Sequence, residues 1–189
     1  MDHRSPILSA SLAAVVLTGC ATASPPPAAF DPSAVAWSTQ VGANTLAGVA
    51  RLETIDGKVR TCAKLPVRLA PDSPYARERI QRLYGDGDMG YVSAREADRA
   101  RMQAGPKVDE AYEMSLKTAV CDARGRFVFK YLADGTYYLL APVVWKRKHA
   151  KENEGGFFMQ RVTIGGGEGL RVTLSRSMQS PLASAGDPR

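Results

Sequence analysis

DARGRFVFKYLADGTYYL, Asp122 to Leu139, holds two turns and two strand starts in eighteen residues. Asp122 and Gly125 frame the first turn: an Asp side chain bonds to backbone just ahead of it, and Gly tolerates positive φ. Phe127 and Phe129 then fall on one side of a strand over Arg126–Leu132, because side chains alternate along extended chain. Asp134-Gly135 turns again, into a strand over Thr136–Trp145. Working outward, the same signs recur. Thr45–Glu53 alternates and ends at Asp56-Gly57. Pro66–Ala70 is short and strand-like. Tyr112–Val120 alternates with Tyr112, Met114 and Leu116 on one face. A charged hairpin leads to Phe157–Ile164, and Gly165-Gly166-Gly167 leads to Leu170–Ser175. Seven short strands between turn signals predict a mainly β, antiparallel β-sandwich.

Two of these stretches also carry a resemblance. Asp122-x-x-Gly125-x-Phe127-x-Phe129, then Leu132, then Gly135-x-Tyr137-x-Leu139, resembles the signature of the carboxypeptidase regulatory-like domains. Thr45–Leu52 with Gly48 resembles their first strand. The resemblance implies a seven-stranded prealbumin-like sandwich over residues 44–175. It also implies an accessory, structural or ligand-binding module rather than a catalyst. The motif states a fold, and fold alone licenses no activity.

Residues 71–110 depart from that family as a helical insertion. Ser73 is placed to cap a helix with Pro74 at its first position. Ala76, Ile80 and Leu83 share one face of that helix. Ser93-x-x-Glu96 has the form of a capping box ahead of a second helix. Asp86-Gly87-Asp88 between them is a plain turn, since it lacks the further ligands of a calcium loop. One reading makes the insertion a cover for a sheet edge. The other makes it a partner surface presenting Arg82 and Arg99.

The N-terminus reads as an address. Ile7–Leu17 is apolar and follows Arg4, and it is shorter than the roughly 20 residues a membrane span needs. Leu17-Thr18-Gly19-Cys20 resembles the lipobox of bacterial lipoproteins. The resemblance implies a signal peptide over 1–19, a multiply acylated Cys20 and a stable membrane anchor. With Ala rather than Asp at position 21, it also implies the outer membrane, with the domain facing the periplasm. Residues 20–43 then form the lipidated end and a Pro/Ala-rich tether, and residues 176–189 a disordered tail. In that oxidising compartment Cys62 and Cys121 are an even pair, expected to be bonded; two buried free thiols are the alternative.

The 189 residues include 25 Lys and Arg against 19 Asp and Glu, a net charge of +6. For an anchored envelope protein this points to anionic envelope partners rather than nucleic acid. Catalytic signals are sparse. Beyond the signal segment the only histidine is His149, inside the basic run Lys146–Lys151, so a nucleophile–histidine pair has little to draw on. No cysteine or histidine spacing suits a metal, and no cofactor is expected. The candidate binding residues are Trp145, Lys146, Arg147 and Lys148 on the hairpin, with Arg82 and Arg99 on the insertion. Trp145 and Trp37 read either as a core edge and a dock for the tether or as a sugar-stacking pair. The basic run reads either as a solvated loop or as a contact for headgroup phosphates. The expected function is that of a non-catalytic accessory or structural module. Recognition of peptidoglycan or lipopolysaccharide is the alternative, and an uncharacterised hydrolase a distant third.

Overall fold

The computed structural model describes residues 29–103 and 108–178. The signal, Cys20 and the last eleven residues, 179–189, lie outside the described residues. The described chain is mainly β, with two sheets packed face to face and a few short helices.

Among the described residues nine strands form, two more than the seven expected. They are β1 (Asn44–Glu53), β2 (Val59–Thr61), β3 (Pro66–Pro71), β4 (Met89–Ser93), β5 (Lys117–Val120), β6 (Arg126–Leu132), β7 (Gly135–Trp145), β8 (Glu154–Ile164) and β9 (Gly169–Ser177). The additions are β2, a three-residue strand, and β4, inside the insertion. One sheet has β1 at its centre. β9 runs along one edge of β1, and β6 and β2 follow one another along the other. The second sheet has the order β4-β8-β7-β3-β5.

The expectation of a wholly antiparallel sandwich is corrected by β9, which is parallel to β1 from Thr45↔Gly169 to Glu53↔Ser177. The cause is at the entry point. Fully buried Asn44 donates Nδ2–H to Leu132 O (2.8 Å) and to Asp134 Oδ1 (2.7 Å), and its Oδ1 accepts from Gly167 N–H (2.8 Å). One amide thus ties the start of β1 to the β6–β7 turn and to the crossover from β8. The crossover delivers β9 beside the beginning of β1, so both strands run the same way.

Tyr112–Val120 is also corrected. Asp109 caps a helix by accepting from Ala111 N–H (2.8 Å) and Tyr112 N–H (3.3 Å). The helix, α3 (Glu110–Ser115), precedes β5. Met114, placed by alternation on a buried face, is 74% exposed. A capped helical turn satisfies backbone groups that a lone strand end leaves open.

The quoted turn forms as read. Asp122 Oδ1 accepts from Arg124 N–H (2.8 Å) and Arg126 N–H (2.9 Å), and Gly125 has φ 76°. Phe127 and Phe129 meet edge to face in the core between the sheets. Tyr137 is buried there and its hydroxyl donates to Ala133 O (3.0 Å). Cys62 and Cys121 are disulfide-bonded, with Cα atoms 5.8 Å apart. They join the end of β2 in one sheet to the end of β5 in the other.

The insertion supplies α1 (Pro74–Tyr84), β4 and α2 (Ala94–Gln103). Ser73 caps α1 by accepting from Ala76 N–H (3.2 Å). Ser93 and Glu96 form the capping box: Glu96 Oε2 accepts from Ser93 N–H (2.9 Å), and Ser93 Oγ from Glu96 N–H (3.2 Å). The insertion does more than cover an edge. β4 pairs with β8, while Ala76 and Ile80 of α1 bury the outer face of the second sheet with Ala70, Tyr138, Met159 and Tyr112.

Two boundaries shift. The tether was expected to run to residue 43, but Pro32–Thr39 forms a 3-10 helix capped by Asp31, with Val35 and Ser38 buried. Trp37 docks against Tyr137, ring centroids 5.0 Å apart. Gly135, at φ 152°, is where that ring fits, since a Cβ there would lie 2.2 Å from it. At the other end β9 continues to Ser177, and Met178 N–H donates to Glu53 O (2.7 Å), so 176–178 belongs to the fold.

Candidate functional site

The structure places the named binding residues on three separate surfaces. Trp145 ends β7 on the side that faces the core, in step with Ala141 and Val143. It sits half-buried at one end of the sandwich. Its indole N–H donates to Glu154 Oε2 (2.9 Å), and Arg60 of β2 lies over its ring, 5.5 Å from the centroid. Glu154 Oε1 accepts from Arg147 Nε (2.5 Å). Gly155 packs against the ring, where any Cβ would clash. A fixed aromatic ring is thus set among two guanidiniums and one carboxylate, with exposed Lys146 and Lys148 beside it. Arg147 is held by Glu154, which pushes its pKa up through that hydrogen bond. His149 is exposed at the tip, at φ 67°.

Arg82 and Arg99 lie on the insertion and do not share a site. Arg99 borders a shallow depression of about 550 Å³ with Arg95, Asp98, Met102 and Glu152, where both charge signs are mixed. Arg82 lines a larger groove of about 690 Å³ between α1, α2 and the outer face of the second sheet. The groove was not legible in the sequence. Its apolar surfaces come from Leu140 and Pro142 of β7, Phe157 of β8, and Leu83 and Tyr84 of α1. Four arginines line it as well: Arg68, Arg79, Arg82 and Arg101. The bonded acids of three of them, Glu113, Glu78 and Asp98, are not among the lining residues. Arg79 instead lies over the rings of Tyr75 and Tyr112, at 5.6 and 5.8 Å. Burial pushes the phenol of Tyr112 up to about 12 and that of Tyr84 further, so both are neutral at ordinary pH.

A buried carboxylate, Asp72, was also missed. Its side chain is 8% exposed and accepts from Arg77 Nε (2.7 Å) and Arg161 Nη2 (3.0 Å). It ties α1 to β8, and its hydrogen bonds raise the pKa of both arginines. Among the described residues no three of His, Cys, Asp and Glu gather into a metal cluster. The Trp145 end and the Arg82 groove offer stacking, hydrogen bonds and positive charge.

The class these observations define is a two-sheet, mainly β domain with a helical cover. No family model and no curated protein matches the chain. The chain is similar to a crystal structure from Pseudomonas aeruginosa of a protein provisionally named as carbohydrate-binding. The TM-score is 0.63 and the identity 26%, over 78% of this chain and 97% of that one.

Proposed function

We propose that this chain is a lipid-anchored envelope protein whose sandwich, of the prealbumin-like type, is a non-catalytic glycan-binding module. Cys20 carries the anchor in this reading, in the outer membrane, with the domain in the periplasm. Of the accessory and glycan readings, the glycan one gains from the likeness to a protein named for carbohydrate binding. The observation that carries it here is the Trp145 cluster. An indole is an apolar plate with a polar edge. In this reading the C–H face of a sugar ring takes the place of the Arg60 guanidinium on the plate that Glu154 fixes, while Arg60, Arg147, Lys146 and Lys148 offer donors to hydroxyls or phosphates.

The test is co-sedimentation of the full chain with purified peptidoglycan and capture on immobilised lipopolysaccharide. The native chain is expected to bind at least one. Trp145→Ala is expected to lose at least tenfold in affinity, on the order of 1.4 kcal/mol, with the fold checked by circular dichroism. No binding to either glycan, or full binding by a folded Trp145→Ala chain, overturns the reading.

A further inference from the structure

We propose that the groove between α1, α2 and the outer face of the second sheet binds an anionic lipid. Its acidic head would be held by Arg79, Arg82 and Arg101, and its chain laid on Leu83, Pro142 and Phe157. This surface is not the Trp145 site. Pro142 and Trp145 lie on the same strand but three residues apart, so they face opposite sides of the sheet.

Three observations lead here. The first is size: about 690 Å³ lies within the roughly 300–1,000 Å³ of small-molecule sites. The second is the floor. Leu140, Pro142 and Phe157 belong to paired strands, so an apolar surface is held open on a rigid support. The third is charge. Among the described residues, four arginines line the groove and no Asp or Glu does. Arg68, Arg82 and Arg101 each engage one nitrogen in an ion pair, with Glu113, Glu78 and Asp98 at 2.8, 2.6 and 3.0 Å. A guanidinium has five N–H donors in a fork suited to phosphate and carboxylate, so each keeps donors for a ligand.

The combination selects the occupant. A neutral lipid would leave the arginines unused. A phosphosugar or free phosphate would leave the apolar floor in water. An acidic head with one apolar chain satisfies both. The neighbouring depression at Arg99 lacks this character, because Asp98 and Glu152 line it too.

The experiment is photo-crosslinking of the full chain in phosphatidylcholine nanodiscs with a diazirine-bearing lysophosphatidic acid. Adducts are expected on peptides holding Leu83 or Phe157, competed by phosphatidylglycerol and not by inorganic phosphate. Arg79→Gln/Arg82→Gln should cut labelling at least tenfold. Lys130→Gln/Arg171→Gln, which removes the same charge from the other sheet, should leave it unchanged. Circular dichroism confirms that each variant is folded; if the arginine pair misfolds, Arg82→Gln alone with Arg101→Gln serves in its place. Equal labelling in the arginine variants, equal labelling by a neutral-headed diazirine lysolipid, full competition by inorganic phosphate, or adducts confined to the Trp145 hairpin would each overturn the proposal.

Discussion

The two sheets of this sandwich meet solvent in opposite ways. Among the described residues nothing covers the outer face of the four-stranded sheet. It presents Arg126, Lys130, Arg171 and Thr173 to water, with Val128 47% exposed among them. The outer face of the five-stranded sheet carries Ala70, Tyr138 and Met159, all buried, with half-buried Leu140 and Phe157. Such a face is too apolar to leave in water. The difference explains the insertion: α1 and Tyr112 build a second core over the sheet that needs one. It also explains the groove, which lies where that cover stops short and Leu140, Pro142 and Phe157 remain accessible.

The largest expected effect concerns the link across this contrast. The Cys62–Cys121 bond spans 59 residues and encloses the whole cover. Replacing both cysteines by Ala should cost about 4 kcal/mol in urea unfolding. A loss confined to the helices, with the sheet signal unchanged, would show that cover and sandwich unfold separately.

A smaller effect compares the faces directly. Ile80→Ala removes a buried side chain from the cover and should cost about 3 kcal/mol. Val128→Thr on the bare face should stay within about 0.5 kcal/mol. Similar costs for the two would mean that the cover is not a true core.

The smallest effect is acid titration. Asp56, in the β1–β2 turn of the bare sheet, bonds Lys58 Nζ (2.6 Å) and Thr54 Oγ1 (2.5 Å), and these hold its carboxyl down at about 2. A depressed folded pKa stabilises above the unfolded value, near 3.9, and that contribution is lost as pH falls through about 2. Carbon-detected NMR should find Asp56 still charged at pH 3, and Asp56→Asn should remove the step. In the cover, Glu96 is lowered by its Ser93 hydrogen bonds and should shift with the same sign.

Much of this fold was legible because it rests on local chemistry. Asp122, Gly125, Ser73 and the Ser93–Glu96 box act on backbone within four residues, so a short window contains the whole cause. The parallel β1–β9 pair was not legible, because strand alternation encodes faces and not direction. It depends on Asn44 reaching Leu132, Asp134 and Gly167, which are remote in sequence. Tyr112–Leu116 misled because an alternating strand and one turn of amphipathic helix look alike over five residues. Trp145 could be picked out as an aromatic beside a basic run, but its partner Arg60 could not. The groove arises from α1, α2 and three strands; of its lining only Arg82 was named as a binding residue, and Leu83 only as part of a helix face.

Phe30 has a consequence for orientation. It packs edge to face on Tyr75 and Tyr112, 5.5 and 5.6 Å away, so the chain is already fastened to the cover there. It lies ten positions beyond Cys20, a fully extended reach of about 35 Å. With Cys20 as the proposed anchor, the domain would join the bilayer from its helical side and stay within that reach of it.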